Sequence, residues 1–327
     1  MYQVITIGDV VLDTHIQIDH ASIECNLDGK NCKLCLDYAA KVPIHESFQV
    51  LGGNSANVAV GLKKLGVKSL IISTVGDDAN AEIVKKEIQK TGLQTDYIST
   101  DKSTVTRYSI VLNFQGERTI LSQHKKRKYF WPKSFPHTDW IYYTSLSEGF
   151  ESIQDNLVKF LNKHPGVRLA YNPGTFQLKY NLESTKEILA KADLLLVNLE
   201  EAQILVGKTL NQVKTITALM RELFTLGAKE VAITDGERGA YAGNKDEIFQ
   251  MEALPVPVRF KTGAGDAFSS GYLGARVLGH DIAHALTWGI ANSCAVIQQF
   301  GNQTGLLNPT GIKKILSQYS KNRAEEI

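Results

Sequence analysis

The chain has 327 residues, with 36 Lys+Arg against 34 Asp+Glu, 43% hydrophobic residues and 4 Cys. A formal charge of +2 gives no broad basic field of the kind that draws a protein onto a phosphate backbone or an anionic membrane. A folded chain of this length buries on the order of 75% of the surface its unfolded form exposes, so its core needs no disulfide or metal.

The opening segment Met1-Tyr-Gln-Val-Ile-Thr-Ile-Gly-Asp9 lacks the basic start of a signal peptide. No apolar run approaches the roughly 20 residues that span a bilayer. The expectation is a cytoplasmic protein with a small-molecule partner and neither nucleic acid nor membrane to bind. Thiols stay reduced in that compartment.

Strand-like and helix-like segments alternate, a pattern that points to parallel strands joined by helical crossovers. Candidate strands are Val4–Ile7, Leu70–Thr74, Trp140–Tyr143, Arg168–Tyr171, Leu194–Asn198 and Glu230–Thr234, several of them the near-continuous apolar runs of doubly buried strands. Candidate helices over 54–65, 80–91, 152–162, 182–190, 211–226, 266–278 and 281–299 place apolar residues at three- and four-residue spacing. Two stretches break the rhythm. Arg107–Asn113 and Glu117–Leu121 alternate with period two around a Gln-Gly turn, which reads as a β-hairpin, and His15–Ile18 and Val42–Val50 have similar strand character. Together they suggest a small accessory sheet acting as a lid.

Leu51-Gly-Gly-Asn-Ser-Ala-Asn57 runs through a glycine pair into an amphipathic helix. The glycines let a ligand approach the backbone, and Asn54 and Asn57 offer amides at the helix start; a plain capped turn is the alternative. Lys261-Thr-Gly-Ala-Gly-Asp266 is a glycine-rich turn opening a helix, where free N–H groups and the dipole favour an anion. It lacks the Gly-Lys-Ser/Thr ending of a Walker loop, and the single glycine after the first strand does not make a dinucleotide fingerprint.

These two motifs, with Asn198-Leu-Glu-Glu201 and Thr234-Asp-Gly-Glu-Arg-Gly239, resemble in kind and order the signatures of the ribokinase, or PfkB, family of carbohydrate kinases, over roughly residues 3–310. The resemblance implies an α/β fold: a three-layer α/β/α ribokinase-like (Rossmann-like) domain with a small β-sheet lid. Residues 1–327 then form a single kinase domain, with a discontinuous lid from about 14–50 and 106–122. It also implies an ATP- and Mg²⁺-dependent phosphotransferase acting on a hydroxyl of a sugar, sugar acid or nucleoside. The alternatives are a kinase of an already phosphorylated sugar and a non-catalytic sugar- or nucleotide-sensing protein of the same fold.

The resemblance assigns roles residue by residue. Asp266 is the catalytic base, and the N–H groups of Gly263, Ala264, Gly265 and Asp266 form the anion hole. Asp13, Gly53, Asn54 and Asn57 contact the acceptor hydroxyls. Arg107 and His124 are candidates to reach the substrate from the hairpin, against the alternative of a solvated, charged strand edge. The run His124–Lys128 reads as an attraction for an acidic acceptor or as a soluble loop. Asn198, Thr234, Gly236 and Gly239 serve the nucleotide. Asn292 resembles a residue near the adenine, although a packing seam explains it equally well. Glu201, with Asn198, would hold Mg²⁺ through its water shell.

Two departures stand out. The family often has an Asp-Thr pair ahead of the glycine turn that helps bind a monovalent cation; Phe260 and Lys261 precede Thr262 here, so K⁺ activation is expected to be weak or absent, with the Lys261 ammonium supplying positive charge. The second is Cys25, Cys32 and Cys35, whose Cys-x-x-Cys spacing, with His20 or His45, fits a structural Zn²⁺ site; reduced thiols and a disulfide are the other readings. Edge strands in the lid also suggest a homodimer through it.

Overall fold

The computed structural model describes residues 1–26 and 32–327. Its principal sheet has ten strands. Seven run parallel, in the order Ile98–Asp101, Ser69–Gly76, Tyr2–Ile7, Thr138–Tyr143, Arg168–Tyr171, Leu194–Asn198 and Glu230–Thr234. Three antiparallel strands, Ala240–Gly243, Ile248–Met251 and Glu325–Glu326, then finish that edge.

Doubly buried strands must send alternate side chains to opposite faces. In Thr138–Tyr143, Ile141 and Tyr143 enter one apolar cluster while Trp140 and Tyr142 enter the other, and Leu195 and Val197 are opposed in the same way to Leu194 and Leu196. Helices Glu151–Lys163, Leu182–Leu189, Leu199–Val206 and Ile216–Thr225 cover the first face. Helices Asn54–Lys64, Ala264–Val277, Ile282–Val296 and Pro309–Gln318 cover the second. The result is a three-layer α/β/α domain that carries a small β-sheet lid.

The lid sheet has four strands in the order Ile44–Gly52, Val11–Ile18, Tyr108–Phe114 and Glu117–Ser122. The central pair, Val11–Ile18 and Tyr108–Phe114, is parallel, and the outer pairings are antiparallel. Gln115 and Gly116 both take positive φ, 49° and 81°, in the two-residue turn of the last hairpin.

Ser22–Cys25 and Cys32–Cys35 form a separate hairpin in which Cys25 and Cys32 face each other and are joined by a disulfide. This corrects the zinc reading. Two of the three thiolates are consumed by each other, and no group of three metal-ligating side chains occurs among the described residues. It also corrects the expectation of reduced thiols, which holds only for Cys35 and Cys294. Residues 27–31, inside the sequence run that suggested zinc, lie outside the described residues. No helix among the described residues is long and apolar enough to cross a membrane.

One buried ionic contact ties the sheet to the helix that opens at Ala264. Glu230, on its strand, accepts from Arg276 Nε at 3.0 Å and Nη2 at 2.8 Å and from the Tyr272 hydroxyl at 2.8 Å. Truncating the arginine would strand a carboxylate in the core. Arg276→Ala is expected to lower the unfolding free energy by about 3 kcal/mol, read as a drop in the urea midpoint; an unchanged midpoint would show that this contact is dispensable.

Candidate active site

In an open parallel sheet, ligand-binding residues gather where the strands end at their carboxyl edge. Ser145, Asn172, Asn198 and Thr234 all stand there, lining a cleft of about 670 Å³ that is also lined by Asp13, Arg107, Ser109 and Arg118 of the lid sheet and its margins. A second, more apolar cleft of about 580 Å³ is lined by Leu254, Pro255, Val256, Ile290, Cys294 and Ile297, together with Gly236 and Gly239. Thr234, Lys261, Ala264, Gly265 and Phe268 border both clefts. The glycine turn is therefore a partition with a polar chamber on one side and an apolar one on the other.

That turn is shaped by glycine. Gly263 has φ +84°, and a Cβ there would lie 2.7 Å from the Asn302 carbonyl oxygen. It ends the approach to helix Ala264–Val277, whose first-turn N–H groups have no carbonyl one turn back to receive them. With the dipole added, the turn is suited to receiving an anion.

Asp266 sits in that first turn, and its Oδ2 accepts from Asn57 Nδ2 at 2.7 Å. Burial pushes its carboxyl up to about 6, opposed by the Asn57 hydrogen bond and aided by the nearby Asp13 charge. Asp13, 8% exposed, is also raised by burial and accepts from Asn302 Nδ2 at 2.9 Å. Its carboxylate occupies the space a Cβ at Gly52 would need, 2.0 Å from Oδ2. Gly53, at φ +90°, leads directly into the helix bearing Asn57. Asn54 donates to Asn172 Oδ1 at 3.2 Å, and Tyr142 and Thr144 donate to that same oxygen, so this part of the polar cleft is held by an amide–hydroxyl cluster.

Arg107 is not a solvated edge residue. Its Nη1 lies 3.0 Å from Asp9 Oδ2, its Nη2 lies 3.4 Å from His124 Nε2, and both Arg107 and His124 line the polar cleft. Asp9, 1% exposed, accepts in addition from Tyr129 and Ser147. Burial, then the Arg107 charge, lowers the His124 pKa. In the basic run, Arg127 is buried and donates to the Thr74 and Val105 carbonyls, so that arginine is structural.

Asn198 and Glu201 form a reciprocal capping box, Asn198 Oδ1 accepting from Glu201 N at 2.8 Å and Glu201 Oε2 accepting from Asn198 N at 2.9 Å. Both line the polar cleft and Glu200 does not. Burial raises the Glu201 carboxyl to about 7, with Glu200 and Asp266 adding repulsion. A carboxylate crowded by like charge, with no ion pair among the described residues, suits a hydrated hard cation, so the donor set fits Mg²⁺.

Asn292 requires a correction. It is fully buried, donating to the Ala267 carbonyl and the Ser270 hydroxyl and accepting from Leu307 N. Its amide is spent fastening two helices and the following loop, while Ile290, Ser293 and Cys294 are the residues of that helix that reach the apolar cleft. Lys261 Nζ lies 2.7 Å from Glu117 at the lid hairpin, so its charge is shared with a carboxylate.

Sequence reasoning missed Asp9, Asn172, Asn302 and Gln303. Gly301-Asn-Gln-Thr304 follows an apolar helix and carries no recognisable motif. Only the fold brings it beside residues 13 and 57, about 290 and 250 positions earlier, through Asn302 to Asp13 and Gln303 to Asn57.

A glycine turn of this kind, on a three-layer α/β/α scaffold with a small lid, gives the molecule two adjoining places for small ligands. The pfkB family carbohydrate kinase model matches residues 16–310, and the chain belongs to that family. It is 26% identical to the ATP-dependent 6-phosphofructokinase of Thermoanaerobacterium thermosaccharolyticum, over 92% of this chain and 89% of that one. In fold it is similar to the nucleoside kinase of Methanocaldococcus jannaschii (TM-score 0.75, 20% identity, 97% and 99% covered). It is also similar to Arabidopsis thaliana ribokinase complexed with ribose and ATP (TM-score 0.78, 18% identity, 96% and 98% covered).

The raised carboxyl of Asp266 has a consequence for stability. A folded-state value above the ordinary 3.8 means that stability is fully present below about 3.8 and lost as pH rises through about 6. Asp266→Asn abolishes this loss. The variant is expected to unfold at higher urea than the wild type at pH 8, with the difference shrinking toward pH 4; equal midpoints at pH 8 would show that the carboxylate is not strained by burial.

Proposed function

We propose that this protein transfers the γ-phosphoryl group of ATP to a hydroxyl of a sugar, sugar acid or nucleoside. The observation that carries the reading is the position of Asp266 in the polar cleft, directly after Ala264 and Gly265, which border both the polar and the apolar cleft. The apolar cleft suits a nucleobase, with Thr234, Gly236 and Gly239 beside the phosphates. The polar cleft suits an acceptor rich in hydroxyls, with the Asp13 carboxylate and the Asn54 and Asn57 amides as its partners.

Phosphoryl transfer asks chiefly for alignment and charge neutralisation. The N–H groups of Gly263, Ala264, Gly265 and Asp266 receive the γ-phosphoryl oxygens. Asp266 takes the proton of the attacking hydroxyl through a carboxylate oxygen. Mg²⁺, when bound, neutralises phosphate charge; Asn198 and Glu201 are the residues that would hold its water shell. The lid excludes water, which strengthens these contacts.

A second reading, an acceptor that already carries phosphate, is favoured by Arg107, Arg118 and His124 along the polar cleft and by the relative named 6-phosphofructokinase. A non-catalytic sensor of the same fold is disfavoured, because it would not need the base beside the anion site. An ADP-release screen over sugars, sugar acids, sugar phosphates and nucleosides separates these readings; turnover with none of them would favour the sensor.

With the accepted substrate, Asp266→Asn is expected to cut kcat by about 10³-fold, and wild-type kcat/KM should fall as pH drops through about 6. Retention of kcat within tenfold would remove Asp266 as base. The lid supports a homodimer as well, since its edge strand Glu117–Ser122 is exposed throughout. Light scattering is expected to give twice the 36.1 kDa chain mass, and a monomer mass would overturn this.

A further inference from the structure

Asn57 has an amide that could face the base with either end, and its orientation decides what the base feels. A nitrogen toward Asp266 stabilises the carboxylate, whereas an oxygen there would demand a protonated acid. Amide orientation is set by the surrounding donors and acceptors.

Those partners form a directed chain. Gln303 Nε2 donates to the Leu51 carbonyl at 3.3 Å and to Asn57 Oδ1 at 2.9 Å, and Asn57 Nδ2 donates to Asp266 Oδ2 at 2.7 Å. The Leu51 carbonyl can only accept, so Gln303 must present its NH₂ group. That obliges Asn57 to present its oxygen to Gln303 and its NH₂ to Asp266. A main-chain carbonyl thus fixes the polarity of a relay that ends on the base. Asn57 is 4% exposed, so no bulk water is available to substitute for Gln303.

Gln303 does not line the polar cleft. The residue before it does, and it ties the same turn to the acceptor side: Asn302 Nδ2 holds Asp13, and its backbone packs against Gly263. The turn is thereby braced against the acceptor carboxylate, the anion turn and the relay at once.

We propose that Gln303 is a positioning residue for phosphoryl transfer, acting through Asn57 to hold Asp266 ionised and aimed into the acceptor cleft. This rests on the functional reading given above. It assigns to Gln303 a role in the protonation of the base, separate from any contribution to packing.

The test compares wild type with Gln303→Met, which keeps length and removes the donor, and with Gln303→Glu, which keeps shape and presents acceptor oxygens to both partners. The kcat/KM profile of each variant is expected to have its acid limb displaced upward by about one pH unit, with the loss of rate about fivefold at pH 6, approaching tenfold at lower pH and much smaller at pH 8.5. A uniform loss at every pH with the limb unmoved would make Gln303 merely structural and overturn the proposal. So would an unaltered profile.

A second readout does not need turnover. The ¹³C carboxyl signal of Asp266 in aspartate-labelled protein, assigned by its disappearance in Asp266→Asn, is expected to titrate higher in either Gln303 variant than in wild type. Equal titration overturns the proposal even if one variant folds poorly, because the other supplies the comparison. If wild type phosphorylates no acceptor while the signal still shifts, the functional reading fails and the relay stands; if turnover is found and neither limb nor signal moves, the relay fails alone.

Discussion

The site depends on the hydrogen bond from Asn57 to Asp266. A catalytic base for this chemistry must remain an anion at the very place where a second anion, the transferred phosphoryl group, arrives. Burial alone works against it, raising the carboxyl to about 6, and Asp13 works in the same direction. The amide donor and the helix N-terminus oppose both, each acting at close range in a poorly hydrated cleft. The outcome is a carboxylate poised near neutrality, which in the proposed reaction suits proton abstraction better than a fully solvated aspartate would.

The remaining architecture serves this arrangement. Gly263 bends the chain where no side chain fits against Asn302, so the helix starts with its N–H groups facing the boundary between two clefts. The Glu230–Arg276–Tyr272 contact anchors the far part of that helix to the sheet. Above, the lid contributes Asp13 from one strand, with Arg107 just ahead of the next held by the buried Asp9 carboxylate. The Lys261–Glu117 pair joins the lid hairpin to the approach of the glycine turn. Being exposed, such a pair adds little stability.

Much of this was legible in the residues, for identifiable reasons. Strands such as Leu194–Asn198 are apolar at every position but the last because both faces are covered, and that composition survives any tertiary context. Gly263 and Asp266 are constrained by local backbone geometry, which a sequence states directly. The Gln115-Gly116 turn is local too. By contrast, Asn292 points into a seam and not into a cleft, a difference of roughly one helix position that periodicity does not resolve. The Cys25–Cys32 pairing depends on hairpin register, and spacing alone left it among three readings. Asp9, Asn302 and Gln303 were invisible because their partners lie far away in sequence; a polar residue in a loop gives no sign of what the fold will set against it.

The central claim is that one turn separates the nucleotide from the acceptor and receives the phosphoryl group between them. A crystal structure with Mg²⁺ and a non-hydrolysable ATP analogue tests it most directly. The expected result places the base in the apolar cleft beside Val256 and Cys294, with terminal phosphate oxygens within about 3.2 Å of the N–H groups of Ala264, Gly265 and Asp266. A terminal phosphate bound away from that turn, or a nucleobase seated in the polar cleft against Asp13, would contradict it.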